Sequence, residues 1–317
     1  MPLHFFSRLR RDSKYGGAPH KPVLLLAILE LVRKGEISNN RIAITPELVL
    51  EFKSIWSRLV VTPHIPNFAL PFYHMKSEPF WKLVTYGGME IPVTSSNSIR
   101  SLNALKETVA FAELDAQVFA LMQDPIQLAV MEEALLDQYF PETKSRFHVH
   151  EADLFTQLEA EILREDAVLY RKRIDELKET LSKEEFEEEV FVRGGVFKRE
   201  VPKIYGYQCA ISEMRIESST NAQMVDACHL IPFAISKDDT ITNGIALSPN
   251  LHRAYDRGLI TITEDYRVKI SKAISENHSP YSLGQFDGKE ILLPRNPDYY
   301  PAIENLRWHH RECFVAS

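Results

Sequence analysis

Apolar positions in the first third of the chain fall into short, sharply bounded blocks. Residues 23–32 are apolar nearly throughout, are led in by His20-Lys21-Pro22 and are closed by Arg33-Lys34-Gly35. Proline suits the first turn of a helix and glycine the position just past its end, so this block predicts a buried helix over about 21–33. Arg41-Ile42-Ala43-Ile44 alternates as a short strand. Thr45-Pro46-Glu47-Leu48 then reads as a helix start, with Thr45 at the N-cap and Pro46 in the first position. Phe52, Ile55, Trp56 and Leu59 recur at the spacing of one helical face, carrying that helix to about Arg58. Residues 101–140 predict two or three amphipathic helices, one on Leu102, Leu105 and Val109, one over 116–122 and one over 128–139. Residues 151–189 read as one long polar helix, in which Leu154, Leu158, Ile162, Leu169, Ile174, Leu177 and Leu181 are spaced mainly by three, four and seven. Its closing run, Glu184-Glu185-Phe186-Glu187-Glu188-Glu189, reads as a solvated face, and Gly194-Gly195 marks a boundary.

Residues 62–81 break this pattern. Four prolines and five aromatic residues surround His64 and His74 there. Proline removes backbone donors, so the stretch is expected to form neither a regular helix nor a central strand. It is either a loop pinned to the core by its aromatics or a functional loop. Charge adds to the contrast between regions. The net charge of −7 is uneven: the first 82 residues carry 12 Lys+Arg against 6 Asp+Glu, whereas residues 151–190 carry 6 against 14. Phosphate attraction acts within about 10 Å, so a basic N-terminal face stays compatible with DNA. The longest apolar run, residues 23–29, is far shorter than the roughly 20 residues of a membrane span. The opening Met1-Pro2-Leu3-His4-Phe5-Phe6 has no long apolar core or small-residue cleavage site. Cys209, Cys228 and Cys313 form no CxxC pair, which excludes a four-thiolate structural zinc and argues against a disulfide framework. A soluble, reduced, cytoplasmic chain is expected.

The chemistry-bearing text begins at Tyr205. Tyr207–Ser212 reads as a short strand or turn, and Val225-Asp226-Ala227-Cys228-His229-Leu230-Ile231-Pro232 as a strand ended by proline. A polar loop, Ser236-Lys237-Asp238-Asp239-Thr240, leads to Asn243-Gly244-Ile245-Ala246-Leu247-Ser248. A helix then opens at Pro249 and breaks at Gly258. Asn243 follows His229 by 14 positions and His252 follows Asn243 by 9. This order of strand, loop, strand and helix resembles the HNH nucleases with a ββα-metal core, over about 35 residues. The resemblance implies phosphodiester hydrolysis, in which His229 is the general base and His252 a metal ligand. Asp226 would be a second ligand or would orient one, and Asn243 would hold the loop and the His229 ring. Asn250 and Asp256 would support them. An imidazole suits the base because it titrates near neutrality, and a single divalent ion can neutralise charge on the phosphate and the leaving oxygen. Magnesium, manganese or another divalent ion is expected. Without zinc-binding Cys pairs, Cys209 and Cys228 are expected to be small buried hydrophobes, and the core to be packed by Tyr205, Tyr207, Phe233, Leu259 and the Leu306–His310 stretch. His309 and His310 are read as structural.

The N-terminal half resembles the sulfur-binding domains of type IV, modification-dependent restriction enzymes. The resemblance rests on G-G-A-P-H-K-P-V-L-L-L-A-I-L and L-P-F-Y-H-M-K-S-E-P-F-W-K-L, within about 80 residues. It implies recognition of DNA in which a backbone oxygen is replaced by sulfur. Sulfur is large and weakly hydrated, so an apolar dimple favours it while nearby cations meet the phosphate charge. His20 and Lys21 would be the cationic or donor groups, with Tyr73, His74, Pro79 and Phe80 around the dimple. Glu78 stands where such domains often carry an aromatic residue, so either it points away or the ligand differs.

Together these readings predict an α+β protein: a mixed DNA-reading domain over 1–150, a helical linker over 151–192 and a ββα-metal HNH nuclease domain over 193–317. The expected partner is double-stranded DNA, modified in its backbone. A homodimer would fit, since one HNH site cuts one strand, but no residue requires it. The competing readings are an HNH nuclease whose front domain reads another modification or unmodified DNA, and a non-catalytic DNA-binding protein with a decayed HNH core.

Overall fold

The computed structural model describes residues 6–91, 93, 98–148, 154–216, 223–277 and 279–316, with the backbone alone at 154 and 155. Residues 1–5, in the segment read for a signal sequence, and 151–153, at the start of the predicted long helix, lie outside the described residues. The chain divides into two compact units, Met1–Gln157 with Thr180–Val192, and Leu158–Glu179 with Arg193–Ser317. Among the described residues no helix is long and apolar enough to cross a membrane.

In the first unit the predicted buried helix spans His20–Arg33, with every residue from Lys21 to Leu29 buried. It packs on Pro46–Leu59, Ala69–His74 and Pro125–Tyr139. The Pro46–Leu59 helix starts as expected: the Leu48 N–H donates to the Thr45 hydroxyl (3.2 Å). Two expectations change. Residues 69–74 do form a helix, of six residues, and Pro71 is tolerated because it lies in the first turn, where an N–H has no intrahelical partner. Val109 does not extend the Leu102–Thr108 helix but opens a strand. That strand, Val109–Leu114 (β3), is the centre of an antiparallel sheet between Arg41–Ile42 (β1) and Trp81–Thr85 (β2). The register pairs Arg41 with Glu113 and Trp81 with Leu114. Within this strand Val109, Ala112 and Leu114 are the buried residues, a spacing that does not alternate and so does not separate it from a helix in the sequence.

The long polar helix is also three helices, Leu154–Arg164, Ala167–Thr180 and Lys183–Ile204. Local caps cut it. Asp166 accepts from the Val168 and Leu169 N–H groups (2.8 and 3.0 Å). Ser182 and Glu185 form a reciprocal capping box, each side chain accepting from the other's backbone N–H (3.2 and 3.0 Å). Gly194 and Gly195 lie inside the third helix. Its glutamates are not uniformly solvated. Glu188 is buried, accepts from the Phe68 N–H (2.7 Å) and pairs with Lys53 at 3.7 Å. Burial pushes its carboxyl up to about 7.

The second unit is built on a two-stranded antiparallel ribbon, Asp226–His229 (β4) with Gly244–Leu247 (β5), in a register that pairs His229 with Gly244 and Asp226 with Leu247. The Pro249–Asp256 helix packs against both strands and against Ile260–Ile262 (β6), which pairs with Val268–Ile270 (β7). The Ile303–Glu312 helix covers β6. Tyr205, Leu306 and His309 are buried in this core, whereas Tyr207, Phe233 and Leu259 are only partly so. His309 is structural: it stacks on Tyr255 with ring centroids 3.6 Å apart, its Nε2–H donates to the Tyr255 carbonyl and its Nδ1 accepts from the Thr261 hydroxyl. Burial holds it near 4, hence neutral. Gly258 ends the Pro249–Asp256 helix at φ +66°, and a Cβ there would lie 1.9 Å from the Cys313 carbonyl oxygen. Gly258→Ala combines a left-handed backbone with a clash against main chain, costing about 2–5 kcal/mol. The expected result is an earlier denaturant-induced transition of this unit; an unchanged midpoint would contradict the packing described.

Candidate functional site

β4 alternates its side chains, and the two faces meet different partners. His229 and its register partner Gly244 face Phe197 of the Lys183–Ile204 helix. The His229 and Phe197 rings stack with centroids 4.0 Å apart and planes 10° from parallel. A Cβ on Gly244 would come within 2.9 Å of the Phe197 ring, so glycine makes room for this stack. His229 Nε2 lies 2.8 Å from Asp239 Oδ1. Asp239 is 2% exposed, and the Tyr170 hydroxyl donates to its other oxygen at 3.3 Å. Burial, with Asp239 alongside, pushes the Tyr170 phenol well up, so it remains an O–H donor. A carboxylate only accepts; it therefore sets the proton of a neutral His229 on Nε2 and leaves the lone pair on Nδ1. The side chain is 21% exposed.

Asn243 acts one step further back. It is fully buried, and its carboxamide oxygen accepts from the Ile231 N–H (3.0 Å) and the Asn305 Nδ2 (3.1 Å). Its Nδ2 donates to the Ile231 and Asp238 carbonyls, both at 2.9 Å. It thus staples the loop between β4 and β5, as expected, but the His229 ring is held by Asp239 and not by Asn243. Asp239 and Tyr170 were not singled out from sequence. A K-D-D-T turn carries no mark of which carboxylate turns inward, and Tyr170 lies 69 residues from its partner.

The opposite face of β4 carries Asp226 and Cys228, against the Pro249–Asp256 helix. His252 Nδ1 lies 3.6 Å from Asp226 Oδ2, and its Nε2 lies 3.4 Å from Asp256 Oδ2, one helical turn on. Cys228 Sγ lies 4.0 Å from Asp256 Oδ1. The ligand atoms of Cys228, His252 and Asp256 all lie within 4.8 Å of one another. An imidazole flanked by two carboxylates fits a divalent cation chemically, and both carboxylates are more than half exposed, leaving an approach for an outside oxygen. His229 is not in this group among the described residues. His229 and the candidate ion site therefore lie on the two faces of one strand and do not converge on one ion. Burial and the nearby Asp256 and Asp226 push the Cys228 thiol well up. Cys209, by contrast, is a fully buried acceptor for the Ser248 N–H (3.3 Å). Asn250 accepts from the Ser248 hydroxyl (2.7 Å) at the helix start.

In the first unit, His20, Lys21 and His74 line one cavity of about 500 Å³. Arg10, Arg11, Lys14 and Arg100 line it too, with Asp12 the sole carboxylate among the described residues, and Ala18, Leu70 and Pro71 supply apolar wall. The other expected residues sit elsewhere: Tyr73 and Phe80 are buried, Phe80 stacking on Phe6, and Pro79 is exposed outside the lining. Lys21 and Glu78 are buried together, Nζ to Oε1 at 2.5 Å. Glu78 also accepts from the Arg10 N–H (3.0 Å). The carboxylate thus turns inward onto Lys21 and cancels its charge. Burial holds His20 near 4, and its ring donates to the Ile65 carbonyl (3.0 Å), so near neutrality it is uncharged. Positive charge at this cavity comes instead from the arginines and Lys14.

Residues 209–263 match the profile of a family described as HNH endonuclease, and this segment is an HNH endonuclease domain. No curated protein matches the chain significantly. Among solved structures, the chain is similar to the modification-dependent TagI restriction endonuclease, at 20% identity and a TM-score of 0.27, over 36% of this chain and 35% of that one. It is also similar to the type IV phosphorothioation-dependent restriction endonuclease ScoMcrA, at 11% identity and a TM-score of 0.34, over 80% of this chain and 94% of that one. The chain thus spans about a third of the length of the TagI enzyme.

Proposed function

We propose that this HNH nuclease is a metal-dependent DNA endonuclease that hydrolyses phosphodiester bonds and whose first unit reads phosphorothioate-modified DNA. The observation that carries the catalytic half is the His229–Asp239 pair, which leaves the Nδ1 lone pair of His229 free of that bond. His229 takes a proton from water at Nδ1, and the buried Asp239 carboxylate stabilises the imidazolium that results. His252, with one of the two carboxylates that face its ring nitrogens, Asp226 or Asp256, would hold the divalent ion, which when bound would supply neutralisation of charge on the phosphate and leaving oxygen. Nicking of supercoiled DNA that needs an added divalent ion and stops with chelator is the expected result; ion-independent nicking would overturn the metal dependence.

The basic cavity supports the reading half. Arg10, Arg11, Lys14 and Arg100 suit a phosphate, while Ala18, Leu70 and Pro71 give the apolar wall that favours sulfur over oxygen. In gel-shift competition the protein is expected to prefer phosphorothioate duplex over ordinary duplex. Arg100→Ala should weaken binding to both and flatten the dependence of log affinity on log salt by about one unit. Leu70→Ser should reduce the sulfur preference alone. Equal affinity of the parent protein for the two duplexes would overturn the sulfur reading and favour a reader of ordinary DNA or another mark.

A further inference from the structure

The two nitrogens of His252 face different carboxylates, Nδ1 toward Asp226 and Nε2 toward Asp256. One ion cannot use both nitrogens of one ring, so the site has two alternatives, and a third donor separates them. Cys228 shares a face of β4 with Asp226, but its sulfur lies on the Asp256 side, 4.0 Å from Oδ1. We propose that Cys228, His252 Nε2 and Asp256 are the ligands of the divalent ion, that Asp226 holds the other ring nitrogen in place, and that the site takes a borderline-soft ion of the zinc or cobalt class in preference to magnesium. The inference rests on the metal-dependent reading above and names the ligand set and ion class within it.

Bond lengths of about 2.3 Å to sulfur and about 2.0–2.2 Å to nitrogen and oxygen put tetrahedral ligand atoms roughly 3.3–3.6 Å apart. The 3.4 Å from His252 Nε2 to Asp256, the 4.0 Å from Cys228 to Asp256 and the 4.8 Å outer limit of the group need only small closure to reach this. Three protein ligands leave the fourth position for water or a phosphate oxygen, and the thiol proton leaves to solvent as the metal–sulfur bond forms. Asp226 then occupies the place of the carboxylate that orients a ligating imidazole through its second nitrogen. Magnesium demands an octahedron of hard oxygens, which a buried sulfur cannot join.

Cobalt(II) titration of the full chain tests this by absorbance. The parent should show visible ligand-field bands at one ion per chain together with a near-ultraviolet thiolate-to-cobalt band. Cys228→Ser and Cys228→Ala should both lose the near-ultraviolet band, and Cys313→Ser should keep it. Asp226→Asn should keep it with cobalt affinity reduced about 10–100-fold. Thermal unfolding of the metal-free variants shows that they fold. Cobalt bound at one ion per chain without the thiolate band, or a band that survives in the Cys228 variants, would overturn the assignment and move the ion to Nδ1 and Asp226. Nicking is scored separately: a thiolate band in a protein that cuts no DNA would overturn the nuclease reading and leave the ligand set standing.

Discussion

Replacing His229 by alanine is expected to slow DNA nicking by about 10²–10⁴-fold, the range that a general base contributes. The expectation comes from the position of the ring. Its Nε2 is committed to Asp239 at 2.8 Å and its plane is fixed by Phe197, so Nδ1 is the atom left to accept a proton. Alanine also strips a partner from the buried Asp239, at a cost of about 1–3 kcal/mol in stability. His229→Gln separates the two effects, because an amide N–H can still donate to the carboxylate but cannot act as a base. Both variants should nick slowly, and the glutamine variant should unfold nearer to the parent. Nicking at the parent's rate by a folded His229→Gln protein would remove His229 from the chemistry.

Asp239→Asn should slow nicking by at least about 10²-fold while preserving the fold. The Tyr170 hydroxyl stays protonated and donates toward one oxygen of residue 239, so the asparagine oxygen settles there and its NH₂ turns to His229. An NH₂ can only donate. It draws the lone pair to Nε2 and moves the proton to Nδ1, where a base needs none. Because this changes which state of the imidazole is productive, the pH–rate profile should shift as well as fall, a change that a merely structural role would not produce. Combining Asp239→Asn with His229→Ala should add little to His229→Ala alone, since both act through one ring. A fully additive loss, or an unchanged profile, would show that Asp239 does not act through His229.

Several elements could be read residue by residue because their causes are local. Thr45 accepts from the N–H three residues on, and the same logic applies to Asp166 and to the Ser182–Glu185 box, whose spacing is present in the sequence but is overlaid by a longer apolar period. The nuclease signature was legible for a related reason. His229, Asn243 and His252 lie within one strand–loop–strand–helix segment, and that same segment matches the HNH endonuclease profile. The strand at Val109–Leu114 was not legible, because its extended form comes from pairing with β1 and β2 rather than from alternation within itself.

The sequence by itself determined where several helices start and which side chains carry the nuclease signature, since capping and periodicity act across a few residues of one chain. Only the tertiary structure decided what those side chains do with their charge. It turned Glu78 onto Lys21, 57 residues away, and so took away the cation expected to meet a phosphate. It buried Glu188 in a run that reads as solvated, set Asp239 behind His229, and put Cys228 beside His252 and Asp256. Each of these depends on two distant segments being brought within about 4 Å and shielded from water. Burial raises the cost of an unpaired charge and strengthens a paired one, and neither distance nor burial can be read from residue order.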